Sequence, residues 1–224
     1  MTQALNWAAI DTVLLDMDGT LLDLHFDNYF WRQHVPQHYA EQNKLSLAAA
    51  TAYLIPLFAR HHGSLQWYCL DFWREQLTLD IVALKQDIQH LIAVRDGVLE
   101  FLLQLRVAGK RIILVTNAHG DSLSLKMQHT GLAPYFDQIF TSHQFGLAKE
   151  QAGFWQTLRD ALTFDPARTV LFDDSLAVLR SAQDYGIAHL RCIHQPDSRA
   201  TAQDVGEFLA IGQFSELLPV TQLG

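Results

Sequence analysis

Asp16 and Asp18 stand two residues apart, where a short apolar run, TVLLDM (residues 12–17), gives way to Gly19-Thr20. On an extended chain that spacing points both carboxylates to one side. Two carboxylates so close repel unless a cation lies between them or one is protonated. A second acidic pair, Asp173-Asp174, ends another apolar run, TVLF (169–172). Four carboxylates brought together call for a metal. The donors are all hard oxygens, with no imidazole or thiolate in the set, so Mg²⁺ is the natural ion. Other strand-like runs also lead to polar groups. RIILV (111–115) runs into Thr116-Asn117, and Lys149 precedes the helical stretch that follows QIFT (138–141).

These groups suit attack on a phosphate ester, which resists nucleophiles because it is already anionic. Mg²⁺ and Lys149 would screen that charge. The Thr116 hydroxyl and the backbone N–H of Asn117, at a helix N-terminus, suit a phosphate oxygen. A carboxylate can then attack phosphorus and form an acyl phosphate. A second acid must protonate the leaving oxygen and later activate water, and Asp18 is placed for this.

The elements that would hold these groups alternate. Strand-like runs at 12–17, 111–115, 138–141, 169–172 and 187–191 are separated by helical patterns at 96–108, 120–130, 150–162 and 175–185. Asp96 reads as an N-cap and Gly109 as a stop, and Ser175 and Gly186 bracket the last helix. Such alternation implies βαβ units and a parallel sheet, with ligands bound at the carboxyl ends of its strands. Residues 24–94 break the alternation, with helical patterning rich in aromatics and no strand signal. Leu65, Tyr68, Cys69, Phe72 and Gln76 follow the stripe of one helix with a buried face. The expectation is an α/β protein: a Rossmann-like core, 1–23 and 95–224, with an all-helical lobe, 24–94, inserted after the first strand. The tail from Gln195 onward gives no clear pattern.

The bulk properties narrow the function classes. With 224 residues, 49% hydrophobic and 18% charged, the chain can bury a sizeable core. A net charge of −8, from 24 acids against 16 bases, speaks against nucleic acid as the partner but not against a phosphorylated small molecule. No apolar stretch approaches a membrane span, and the N-terminus lacks the basic region and cleavage site of a signal peptide. Cys69 and Cys192 read as reduced thiols. A cytoplasmic protein is expected. The 11 histidines are scattered, with no HExxH spacing, and read as surface or supporting groups.

In order and separation, DMDGT, Thr116-Asn117, Lys149 and Asp173-Asp174 resemble the four motifs of the haloacid dehalogenase superfamily. The helical insert resembles that superfamily's C1-type cap. The resemblance implies Asp16 as nucleophile and metal ligand. It implies Asp18 as general acid/base, offering its backbone carbonyl to Mg²⁺. Thr116, Asn117 and Lys149 would bind phosphate, with Lys149 bridging phosphate and nucleophile. Asp174 resembles the direct metal ligand and Asp173 its supporting neighbour, though the two are open to exchange. Many relatives carry another acid four residues beyond that ligand, where this chain has Val178.

LLDMDGTLLDLHFDNYFW, LQWYCLDFWREQLTLDI, ILVTNAH and FGLAKE are further similar to bacterial GMP/IMP nucleotidases of this superfamily. That implies a purine nucleoside monophosphate substrate, hydrolysed through an aspartyl phosphate. Sugar phosphates, phosphoglycolate and a phosphomutase reaction are the alternatives. A hydrolytic dehalogenase is disfavoured because such enzymes lack the acid at the position of Asp18. A non-catalytic binding protein would have lost Asp16 or Asp18, and both are present. Among the aromatics, Trp31, Tyr68, Phe72 and Trp73 are assigned to core packing. Asn28, Tyr29, Trp67 and His119 are the candidates for contact with the leaving group.

Overall fold

β1 (Thr12–Leu15) is buried along its whole length, the mark of a strand covered on both faces. It forms the centre of a sheet in the computed structural model, which describes residues 5–220. The outer ends assigned to the core from sequence, 1–4 and 221–224, lie outside the described residues. After β1 the chain runs through α1 (His25–Tyr29), α2 (Val35–Asn43), α3 (Leu47–His61), α4 (Leu65–Tyr68), α5 (Leu70–Leu77) and α6 (Ile81–Asp87). It returns through α7 (Val98–Val107) to β2 (Arg111–Thr116). Then α8 (Gly120–Thr130), β3 (Gln138–Thr141), α9 (Ser142–Phe145), α10 (Phe154–Leu162), β4 (Thr169–Asp173), α11 (Leu176–Tyr185), β5 (His189–Ile193) and β6 (Leu209–Ile211) follow.

The sheet order is β3-β2-β1-β4-β5-β6, and every pairing is parallel. Val13 and Leu15 pack into one core with Phe101 and Leu105 of α7 and Met127 of α8. Leu14 packs into the other, with Trp155 and Leu158 of α10 and Leu179 of α11. The period of two along β1 thus feeds both faces. From β1 the chain builds outward on one side to β2 and β3, and on the other to β4, β5 and β6. The crevice where this order reverses lies at the carboxyl ends of β1 and β4.

The all-helical segment enters and leaves the core by two strands of chain that bond to each other. The Asp23 N–H reaches the Ala93 carbonyl (2.9 Å), and the Arg95 N–H reaches the Leu21 carbonyl (3.0 Å). Inside the segment, Trp73 is fully buried and donates its indole N–H to the Trp67 carbonyl (2.8 Å). Phe58 and Trp31 pack on it edge-on and tilted. No helix among the described residues is long and apolar enough to cross a membrane.

Several local expectations are corrected. The stripe from Leu65 to Gln76 is not one helix. It breaks at Cys69, whose backbone is extended and whose thiol caps α5 by accepting from the Phe72 N–H. The break rotates the buried face onto Leu70, Trp73 and Leu77, leaving Gln76 exposed. The first helix after the insert is capped by Gly97, not Asp96. Gly97 has φ +79°, and a Cβ there would come within 3.0 Å of the Ser215 nitrogen. The helix expected at 150–162 begins only at Phe154. β6 has only three residues, too short to leave a periodic signal.

Candidate active site

The strand ends converge as the parallel topology requires. Asp16 follows β1, and its N–H still bonds the Phe172 carbonyl of β4 (3.0 Å). Thr116 and Asp173 are the last residues of β2 and β4. Lys149 lies in the loop between α9 and α10, and its backbone N–H donates to Asn117 Oδ1 (2.9 Å). Its ammonium donates to Asp16 Oδ1 (2.6 Å), Asp173 Oδ2 (2.7 Å) and the Val115 carbonyl (3.1 Å). All three ammonium hydrogens are engaged. Burial works against the charge on Lys149, but Asp16 and Asp173 outweigh it and raise its pKa.

Both oxygens of Asp173 already accept hydrogen bonds, Oδ1 from the Ser175 N–H (2.9 Å) and Oδ2 from Lys149. Asp174 is different, since no side chain among the described residues bonds its carboxylate. It faces Gly19, where a Cβ would meet Asp174 Oδ2 at 2.6 Å, and where φ is +82°. The glycine of the DMDGT motif therefore serves two needs, a left-handed turn and room for Asp174. One oxygen each of Asp16, Asp173 and Asp174 lies within 4.8 Å of the others. Three carboxylates thus face a single ammonium. Burial pushes the Asp16 carboxyl up to about 6 against the pull of Lys149, and burial with Asp173 and Asp16 raises Asp174 well above its usual range. A buried excess of negative charge with hard oxygen donors fits a divalent cation such as Mg²⁺. Val178 is buried in the core and adds no ligand.

That excess gives a pH-dependent prediction. Asp16 ionises near 3.8 when unperturbed and near 6 in the metal-free fold. A raised carboxylate pKa contributes stability below the unfolded value, and that contribution is lost as pH rises through the folded one. Mg²⁺ offsets the loss because it favours the ionised cluster. Saturating Mg²⁺ is expected to raise the melting temperature little at pH 5 and by about 5 °C at pH 7.5. A thermal shift of the same size at both values would mean that the ion binds elsewhere.

Asp18 is held from the other side. Its Oδ1 accepts from Lys126 Nζ of α8 (2.6 Å), and Lys126 also donates to Asp27 Oδ2 of α1 (2.7 Å). Burial pushes the Asp18 carboxyl up to about 6, with Lys126 lowering it and Asp27 raising it. Neither Lys126 nor Asp27 was singled out from sequence. Each looks like an ordinary polar residue of a helix, and 99 positions separate them.

Thr116 and Asn117 sit at the end of β2, but α8 begins only at Gly120 with His119 as its cap, so Asn117 precedes the helix. Thr116 Oγ1 accepts from the Ala118 N–H (3.0 Å). The Asn117 side chain is spent on structure: Oδ1 pins the Lys149 backbone, and Nδ2 donates to Glu150 Oε2 (2.8 Å). Glu150 in turn accepts from the Tyr68 hydroxyl at Oε1 (2.6 Å), tying the helical segment to the core. Burial and then Glu150 raise the Tyr68 pKa, so it stays a donor.

A cavity of about 770 Å³ lies between core and cap. Asp16, Asp18, Thr116, Asn117, Lys149, Asp173 and Asp174 all line it, as do Asn28, Trp31, Arg32, Phe58, His62, Trp67, Tyr68 and His119. Three of the four candidate leaving-group contacts are there. Tyr29 is not, because it faces a separate smaller pocket with His90 and Arg199. Trp31 and Tyr68, assigned to packing, are cavity walls, while Phe72 packs half-buried against the core. The histidines hold one surprise. His34 and His38, one helical turn apart, come together with Asp87, and His34 Nε2 is buried without a hydrogen bond.

The haloacid dehalogenase-like hydrolase family profile matches residues 10–186. The GMP/IMP nucleotidase YrfG of Escherichia coli (strain K12) is 38% identical over 213 residues, covering 95% of this chain and 96% of the relative. The pyrophosphatase PpaX of Bacillus pumilus is 25% identical over 187 residues, covering 81% and 82%. Among solved structures, a HAD phosphatase from Thermococcus onnurineus superposes with a TM-score of 0.77 at 23% identity, covering 93% of this chain and 96% of that one. The last similarity is one of fold.

Proposed function

The chain belongs to the haloacid dehalogenase-like hydrolases, and on that premise we propose that it is a Mg²⁺-dependent 5′-nucleotidase acting on purine nucleoside monophosphates, GMP and IMP first. The observation that carries the reading is the clamp of Lys149 on Asp16 and Asp173 in the wall of a cavity whose other wall is aromatic. The 38% identity to a GMP/IMP nucleotidase along nearly the whole chain supports the choice of substrate.

Asp16 is the nucleophile. Its carboxylate forms a bond to phosphorus as the bond from phosphorus to the ribose 5′-oxygen breaks, giving an aspartyl phosphate. Asp18 delivers its proton to the departing oxygen. It then takes a proton from the water that attacks phosphorus, and the bond to Asp16 breaks to free phosphate. Lys149 fixes the Asp16 carboxylate and offsets negative charge on the phosphoryl group. The Thr116 hydroxyl and the Asn117 N–H bind phosphoryl oxygens, and the Asn117 side chain holds Lys149 in register. Asp16, Asp174 and the Asp18 backbone carbonyl would hold the metal. Asp173 is the supporting acid, since both its oxygens are engaged. Held there, the ion would supply positive charge to the carboxylates and to the phosphoryl oxygens.

The inserted helices, 24–94, act as a cap that shields the reaction from water. Trp31, Phe58 and Trp67 offer faces for a purine, and stacking of a base on an aromatic ring is worth roughly 1–3 kcal/mol. Arg32 and His62 supply polar groups in the same wall. Cys69 and Cys192 are free thiols, which suits a cytoplasmic enzyme.

The test is phosphate release from nucleoside monophosphates, sugar phosphates and phosphoglycolate, with Mg²⁺ and with excess EDTA. Expected are a preference for GMP and IMP over AMP and sugar phosphates of at least about tenfold in kcat/KM, and no turnover under chelation. A flat profile would remove the nucleotide assignment. Phosphate returned to substrate rather than released would make the enzyme a mutase.

A further inference from the structure

Two lysines are buried at the boundary between core and cap, and the steps above use neither. Lys126 of α8 is 1% exposed and Lys85 of α6 is 2% exposed. Buried ammonium groups persist only when paired. Lys126 donates to Asp18 Oδ1 (2.6 Å) and Asp27 Oδ2 (2.7 Å), and Lys85 donates to Asp27 Oδ1 (2.8 Å). The contacts therefore run Asp18, Lys126, Asp27, Lys85, with alternating sign and, when Asp18 is ionised, no net charge. The Phe26 ring lies near both ammonium groups, 5.2 Å from Lys126 and 4.9 Å from Lys85, and Phe30 lies 4.4 Å from Lys85.

The first two members of this row belong to the core and the last two to the cap. The boundary passes between Lys126 and Asp27. Parting them leaves an acid and a base together on each side, so opening the cap strands no buried charge. A latch that must open and close in every turnover needs that property.

We propose that Lys126 is a positioning residue for Asp18, and that Asp27 makes its hold depend on cap closure. The inference rests on the reading of Asp18 as general acid/base. Asp18 lies beyond the end of β1, beside Gly19, so no sheet ladder fixes its side chain. Lys126 takes Oδ1 and leaves Oδ2, which has no hydrogen bond among the described residues, for the cavity that Asp18 lines. A proton donor must stay within hydrogen-bond reach of the leaving oxygen, and small misplacement costs rate steeply. With the cap open, Lys126 is one end of a flexible stem. With the cap closed, Asp27 grips it from the far side, and Asp18 is aimed once substrate is enclosed.

The test compares GMP with p-nitrophenyl phosphate, whose leaving group departs as a stable anion and needs no proton. Lys126→Met is expected to lower the single-turnover rate of the first phosphoryl transfer, which leaves out the water step common to both substrates, by about 100-fold from GMP and by less than about fivefold from p-nitrophenyl phosphate, with KM little changed. Asp27 keeps Lys85, so this variant should fold. Lys126→Arg, expected to recover part of the GMP rate, gives the same readout if it does not. Asp27→Asn should show the same selectivity at smaller size. Asp18→Asn sets the scale. If Asp18→Asn is selective for leaving group and the folded Lys126 variants are not, the positioning role fails and the acid/base reading stands. If Asp18→Asn is itself unselective, the acid/base reading falls and takes this inference with it.

Discussion

Asp16→Asn is expected to cut turnover by at least about 10⁴-fold, because an amide oxygen is a poor nucleophile and no other carboxylate can take its place. Asp18 is held by Lys126 and Asp173 by Lys149 and the Ser175 N–H. The variant should fold, since Lys149 keeps Asp173 and the Val115 carbonyl as partners. Removing one of three crowded carboxylates should leave the metal-free protein at least as stable as the parent at pH 7.5, where Asp16 is forced to ionise. Three measurements check this together: phosphate release, thermal melting without metal, and trapping of acid-stable label on the protein from a phosphate-labelled substrate. The parent should carry label and Asp16→Asn none. Near-parental turnover in the variant, or label retained on it, would rule out covalent catalysis at Asp16.

How far such a site is legible in sequence depends on what fixes each residue. Asp16, Thr116, Asp173 and Asp174 are at or just past the ends of buried apolar runs, and a parallel sheet brings such ends to one edge whatever the helices do. Their convergence follows from the pattern of runs alone. The division of labour between Asp173 and Asp174 does not, because it depends on which carboxylate turns toward Lys149 and the Ser175 N–H. Lys126 and Asp27 are harder still. Their meeting depends on how the cap sits on the core, and no local periodicity encodes that. Tyr29 was misplaced for a related reason. It and Asn28 are adjacent on a helix, where neighbours point in different directions, and only Asn28 lines the main cavity.

Lys149 and Lys126 are both buried lysines between two aspartates, yet removing them should have different consequences. Lys126→Met leaves Asp27 with Lys85, whereas Lys149→Met leaves Asp16, Asp173 and Asp174 with no cation at all. Breaking a buried ion pair by removing one partner costs about 3–5 kcal/mol, because the other charge stays behind. Metal-free Lys149→Met is therefore expected to lose about that much stability at pH 7.5. The sign of the pH dependence follows from the same charges. Without the ammonium, the carboxylates hold their protons more tightly in the folded state, so their contribution is retained at low pH and lost as pH rises. Denaturant unfolding should find the variant closest to the parent near pH 5 and furthest from it near pH 8. Mg²⁺ should restore much of the stability at high pH, since one divalent ion supplies the missing positive charge. It should not restore turnover, which is expected to stay at least about 10²-fold down because in the proposed mechanism Lys149 also orients the nucleophile and offsets charge on the phosphoryl group. A variant that lost activity but unfolded like the parent at every pH would mean that the cluster is already neutral without its lysine. The case for a bound cation would then lose its electrostatic basis.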